Sequence, residues 1–152
     1  ELGYEGDDMQ RGISLAFSGL EMPNTLADLS ATVQELSQYG KVGAVGYCFG
    51  GLLAYLSSAN VAGLACSVGY YGGGIAGQLE QKPTIPLMLH FGDQDAHIPL
   101  TDVDKIEDAN PGVPVHVYSA DHGFNCDHRA SYDAPSSKQA LERTLEFFAE
   151  HI

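Results

Sequence analysis

The stretch Val42-Gly43-Ala44-Val45-Gly46-Tyr47-Cys48-Phe49-Gly50-Gly51-Leu52 decides how the rest of the chain is read. Residues 42–47 are apolar without polar alternation, the pattern of a short strand buried on both faces. The run from Leu52 to Ala59 is helical in character. A cysteine between a buried strand and a helix, with a glycine two residues before it and another two after, has the layout of a nucleophile elbow. On such a turn strand and helix approach closely, and the side chain stands above the C-terminal edge of the sheet, where open α/β folds bind ligands. A thiol there meets the amino end of a helix, whose N–H groups favour the attacking thiolate. The N–H of Phe49, one residue on, is the expected oxyanion-hole donor. The competing reading of Cys48 is a small buried hydrophobe, which isolated cysteines often are. The elbow context favours the nucleophile, provided that an acid and a base follow.

Outward from this turn the same alternation continues. Upstream, Leu26, Leu29, Val33 and Leu36 recur at spacings of three and four, which predicts an amphipathic helix from Thr25, capped by Asn24 or Thr25 and stopped at Gly40. Downstream, residues 64–71, 85–91 and 114–119 read as strands, and 101–109 and 136–150 as helices, the last with Leu141, Leu145 and Phe148 on one face. Strands alternating with helices imply a parallel sheet covered on both sides. Residues 1–24 form a polar, acidic lead in which a short helix is expected over Arg11 to Phe17.

Acid and base are present in the order nucleophile, acid, base. Asp95 lies in Phe91-Gly92-Asp93-Gln94-Asp95-Ala96-His97-Ile98-Pro99, just past an apolar strand, and spacing leaves Asp93 as its alternative. His122 lies in Ala120-Asp121-His122-Gly123-Phe124, again directly after a strand. A neutral imidazole there can take the thiol proton and return it to a leaving alcohol, while a carboxylate fixes its tautomer. His90, on an apolar strand, is expected in the core, and His116, His128 and His151 on the surface. A metal site from His122, His128 and nearby acids is the weaker alternative, because no helical i, i+4 pair supports it. Cys66 is expected in the core, and Cys126 either at a pocket wall or on the surface.

Composition bounds the partners. The chain has 152 residues, 44% hydrophobic and 18% charged, which is enough apolar material for one folded domain. Twenty acidic against seven basic residues give a net charge of −13. Such a field repels phosphate backbones and anionic lipid, so no nucleic-acid or membrane partner is expected. The first eight residues lack the basic and apolar regions of a signal peptide, and three widely spaced cysteines argue against a disulfide framework. The expected location is the cytoplasm. No metal or cofactor is expected.

At these residues the chain resembles the dienelactone hydrolase family, the α/β-hydrolases that use cysteine where lipases use serine. The resemblance is carried by Gly46-Tyr47-Cys48-Phe49-Gly50-Gly51, Gly69-Tyr70-Tyr71-Gly72, Phe91-Gly92-Asp93-Gln94-Asp95 with Ile98-Pro99, His122-Gly123-Phe124 and the closing Glu142-Arg143-Thr144-Leu145-Glu146-Phe147-Phe148. It implies hydrolysis of a small lactone or ester through a cysteinyl acyl-enzyme, with Cys48 as nucleophile, Asp95 rather than Asp93 as acid and His122 as base. Tyr47, Phe124 and Arg11 become candidates for substrate contact. In the family an arginine four residues after the base helps to hold the substrate carboxylate; Cys126 stands there, with Arg129 three further on.

Only residues 1–47 precede the nucleophile, whereas the family's elbow follows several strands, and one βαβ unit takes about 30 residues. The expectation is a single domain over 1–152, with a lead at 1–24 and a core at 25–152. It is a partial α/β-hydrolase fold, a mostly parallel sheet flanked by helices and lacking the first strands. Those strands would carry the second oxyanion donor and a glutamate that meets the resting cysteine, so weak or no activity is expected of this short form. The open sheet edge is expected to offer pairing to a second copy. The alternative in a different class is a non-catalytic small-molecule binding module that keeps the hydrolase shape.

Overall fold

A computed structural model describes residues 2–3 and 6–152, so the expected lead falls partly outside the described residues. Its elements run α1 (Gly6–Ser18), α2 (Met22–Leu36), β1 (Val42–Tyr47), α3 (Phe49–Asn60), β2 (Leu64–Tyr70), a 3-10 turn (Ile75–Gly77), β3 (Leu87–Gly92), α4 (Leu100–Ala109), β4 (Val115–Tyr118) and α5 (Ala134–His151). The four strands form one parallel sheet in the order β1-β2-β3-β4. The expected strand–helix alternation therefore holds as a sheet flanked by helices.

Residue alternation along β2 separates the two faces of the sheet. Ser67 donates its hydroxyl to the Ala54 carbonyl of α3, while Tyr70, three residues on, meets Thr144 of α5. The core fills the space between: Leu52, Tyr55 and Leu56 from α3, Val68, Leu89 and Phe91 from the strands, and Phe147 from α5 are all buried. Full burial explains why β2 and β3 carry so few polar residues.

Several expectations need correction. Strand β1, expected to be buried on both faces, is an edge strand with Val45 and Tyr47 exposed. The second helix begins at Met22 rather than Thr25, with Glu21 in the cap position and Pro23 in its first turn, where a missing N–H costs nothing. Its last expected core residue, Leu36, is exposed. In α5 the face carrying Leu141 and Leu145 points to solvent; the buried positions are Ser136, Ala140, Thr144 and Phe147. The sheet accepts small and hydroxyl-bearing residues there because Thr144 hydrogen-bonds two buried polar groups, the Tyr70 phenol at 2.6 Å and His90 Nε2 at 3.1 Å. His90 is the core residue expected of it, and its Nδ1 lies 2.8 Å from the Tyr118 hydroxyl. His116, expected on the surface, is half-buried and stacks on His90 at 5.5 Å.

Candidate active site

Cys48 sits where β1 gives way to α3. Its backbone is left-handed, at φ 55° and ψ −116°, a conformation that costs a non-glycine residue about 1–3 kcal/mol. The turn is held in place by hydrogen bonds. The Cys48 N–H donates to the Tyr70 carbonyl at 3.0 Å, and the Cys48 carbonyl accepts from Gly51 at 2.9 Å and Leu52 at 3.3 Å. Two glycines permit the approach: a Cβ on Gly46 would collide with the carbonyl of Gly50, and one on Gly51 with the carbonyl of Tyr70. Gly50, by contrast, has open space where its Cβ would stand. The steric requirement after the cysteine thus falls on Gly51 and not on Gly50.

Asp95 is in the loop after β3 and is buried, whereas Asp93 is exposed. Its Oδ1 accepts from the N–H groups of His97 at 2.8 Å and Ile98 at 3.2 Å, which fixes the carboxylate. Its Oδ2 lies 2.7 Å from Nδ1 of His122, in the loop after β4. The other ring nitrogen, Nε2, lies 3.1 Å from Cys48 Sγ. Three loops at one sheet edge bring carboxylate, imidazole and thiol into a single hydrogen-bonded line. Nδ1–H donating to Asp95 leaves Nε2 facing the sulfur.

The electrostatics of the line are coupled. The hydrogen bond from His122 holds the Cys48 thiol below its ordinary pKa of 9.0 against the opposing effect of burial, helped by the His122 charge, the Phe49 N–H and Arg129. Burial alone would lower His122, but its bonds to Asp95 and Cys48 outweigh that and push it up to about 9. Asp95 is likewise raised by burial, yet the bonds from His122, His97 and Ile98 leave it below the usual carboxylate range. These shifts favour a thiolate–imidazolium pair beside a carboxylate.

The remaining candidates are placed as follows. Phe49 directs its N–H at the Cys48 sulfur. Tyr47 is 42% exposed beside the elbow, with its ring 4.8 Å from that of Tyr70. Phe124 is fully buried against Tyr71 and Tyr118, so it walls the site from within and offers no surface to a ligand. Arg11 is exposed on α1, and among the described residues no hydrogen bond or ion pair involves its side chain. Arg129, read from sequence as lying beyond the family position, is half-buried with its guanidinium against Gly123 and acts on Cys48. With His97, His122 and Ser131 it lines a cavity of about 430 Å³. Cys126 is half-buried, between its two expected positions. Sequence reasoning gave Tyr71 no role, although its ring lies 5.1 Å from that of His122. The available signal was its place at the end of an expected strand and before three glycines.

The dienelactone hydrolase family model matches residues 7–152. A carboxymethylenebutenolidase of Pseudomonas putida is 36% identical over 143 residues, covering 88% of this chain and 60% of that protein. A crystal structure of a proposed dienelactone hydrolase from Klebsiella pneumoniae superposes with a TM-score of 0.72 at 27% identity, over 82% of this chain and 60% of the other. An esterase from Pyrococcus furiosus shares the fold, with a TM-score of 0.64 at 20% identity over 83% of this chain and 62% of its own. The chain thus spans about 60% of the length of the P. putida relative.

Proposed function

This chain belongs to the dienelactone hydrolase family, and on that premise we propose that it hydrolyses a small lactone or carboxylic ester through a cysteinyl acyl-enzyme. The observation that carries the proposal is the line from Asp95 Oδ2 to His122 at 2.7 Å and from His122 to Cys48 Sγ at 3.1 Å. In this reading the Cys48 thiolate attacks the acyl carbon, forming a C–S bond and leaving the former carbonyl oxygen as an oxyanion. The Phe49 N–H turns from the sulfur to that oxygen. Collapse breaks the C–O bond, and Nε2–H of His122 gives its proton to the departing oxygen, which stays tethered in a lactone. Water then attacks the thioester with His122 taking its proton, and the acid is released with the thiolate restored. Asp95 keeps its charge throughout and holds the ring.

Arg129 at the cavity suits an acyl or leaving group that carries negative charge. In this reading the Phe49 N–H is an oxyanion donor and a second donor is worth about 2.7–4 kcal/mol, so this chain alone is proposed to turn over slowly. The test is an activated aryl acetate. Acetylation of Cys48, found by peptide mass together with release of the aryl alcohol, is the expected result. Wild-type release by Cys48→Ala would overturn the proposal.

A further inference from the structure

Two non-glycine residues among those described have a left-handed backbone, Cys48 at φ 55° and Tyr71 at φ 36°. They are register neighbours. Tyr47 pairs with Tyr70 across β1 and β2, so Cys48 and Tyr71 are the residues that follow the last paired position of two adjacent parallel strands. The two turns are also bonded to the sheet in the same manner: Cys48 N–H donates to the Tyr70 carbonyl at 3.0 Å, and Tyr71 N–H to the His90 carbonyl at 2.7 Å. A bulky aromatic residue in this region is a genuine outlier that persists only where its surroundings over-determine it, and such residues concentrate at functional sites.

The strain at Tyr71 aims its ring at the proposed base. The ring is 3% exposed; its centroid lies 5.1 Å from the His122 ring at a tilt of 57° and 5.3 Å from Phe124, which meets it edge-on. Wedged against Phe124, the phenol ring cannot move away from the imidazole without leaving the core. An electron-rich ring beside an imidazolium also favours its charged form. His97 meets the same imidazole edge-on at 5.5 Å, but it is exposed and cannot fix it in the same way.

We propose that Tyr71 is the positioning residue for His122: its left-handed turn at the end of β2 sets the ring that keeps the imidazole on the line between Asp95 and Cys48. Tyr71 acts through His122. The inference rests on the function proposed above, because it concerns the same thiol.

The readout is the pH profile of Cys48 alkylation by iodoacetamide, with the labelled cysteine identified by peptide mass so that Cys126 does not contribute. Tyr71→Phe keeps the ring and should match wild type within about twofold. Tyr71→Leu removes it, and the inflection for Cys48 should move up by about one unit, so that alkylation near pH 7 falls about tenfold. A merely structural role would lower thermal stability and leave the inflection in place; that result overturns the proposal. Should Tyr71→Leu fail to fold, Tyr71→Met carries the same expectation. If only Tyr71→Phe folds, the ring is a core requirement and the positioning role is withdrawn. A wild-type inflection near the ordinary thiol value would overturn the thiolate reading of Cys48 itself, and this proposal with it. A depressed wild-type value unchanged in Tyr71→Leu overturns this proposal alone.

Discussion

The amide of Cys48 donates to the carbonyl of Tyr70 at 3.0 Å, and that same carbonyl is the atom a Cβ on Gly51 would strike. The elbow is thus tied to β2 at the point where it is most crowded. Gly51→Ala should push α3 off the strand and cost about 2–4 kcal/mol in urea unfolding, with slower Cys48 alkylation. Gly50→Ala meets open space inside a helix and should be neutral or stabilising by up to about 1 kcal/mol. Equal costs at the two positions would contradict the account.

The buried network below the elbow predicts acid sensitivity. Burial, with the neighbouring His116 and Arg143, pushes His90 down from 6.5 to about 3. The unfolded chain therefore binds a proton below about pH 6.5 that the folded chain refuses until about pH 3. Stability from this group is complete above pH 6.5 and is lost as pH falls, at about 1.4 kcal/mol per unit. His90→Gln should flatten the slope between pH 6 and 4, seen by urea unfolding at each pH. It should also lower stability at pH 7.5 by about 1–3 kcal/mol, since Tyr118 and Thr144 lose ideal partners.

How much of this was legible depends on what each element buries. Strands β2 and β3 were legible because a strand covered on both faces must be apolar, and β1 and β4 because their short apolar runs lie next to turn signals, although these two edge strands are partly exposed. The elbow and the loops of Asp95 and His122 were legible because each follows such a strand. The buried face of α5 was not, since Thr144 and Ala140 face the core in place of Leu141 and Leu145. Hydrophobic periodicity fails where a helix docks on a polar network. The glycines after Tyr71 mark a turn, but its positive φ was not legible, because an aromatic residue rarely adopts one.

Arg129 bears on the charge of the substrate. Its guanidinium lies at the cavity that His122 also lines. Arg129→Met keeps the length and removes the charge. The KM for an ester bearing a carboxylate should rise about 10–100-fold, as expected for a hydrogen bond to a charged group, while a neutral ester of similar size changes little. Equal changes for both esters would mean that Arg129 supports the loop and does not select charge.

The carboxylate governs the thiol at a distance. Asp95 makes no contact with Cys48 in the hydrogen-bonded line; it bonds Nδ1 of His122, whose other nitrogen meets the sulfur. Because His122 is raised to about 9 largely by that bond working against burial, Asp95→Asn should let burial lower it again. A neutral imidazole no longer stabilises the thiolate, so Cys48 returns toward its ordinary 9.0. The sign is the same for both readouts: alkylation at pH 7 slows and its inflection moves upward. Ester hydrolysis should fall by about 10⁴, the scale seen when a triad acid becomes an amide. In wild type the thiolate–imidazolium pair should be lost as His122 gives up its proton near pH 9. A Cys48 inflection that stays low in Asp95→Asn would place the thiolate's stabilisation elsewhere, on the Phe49 N–H and Arg129.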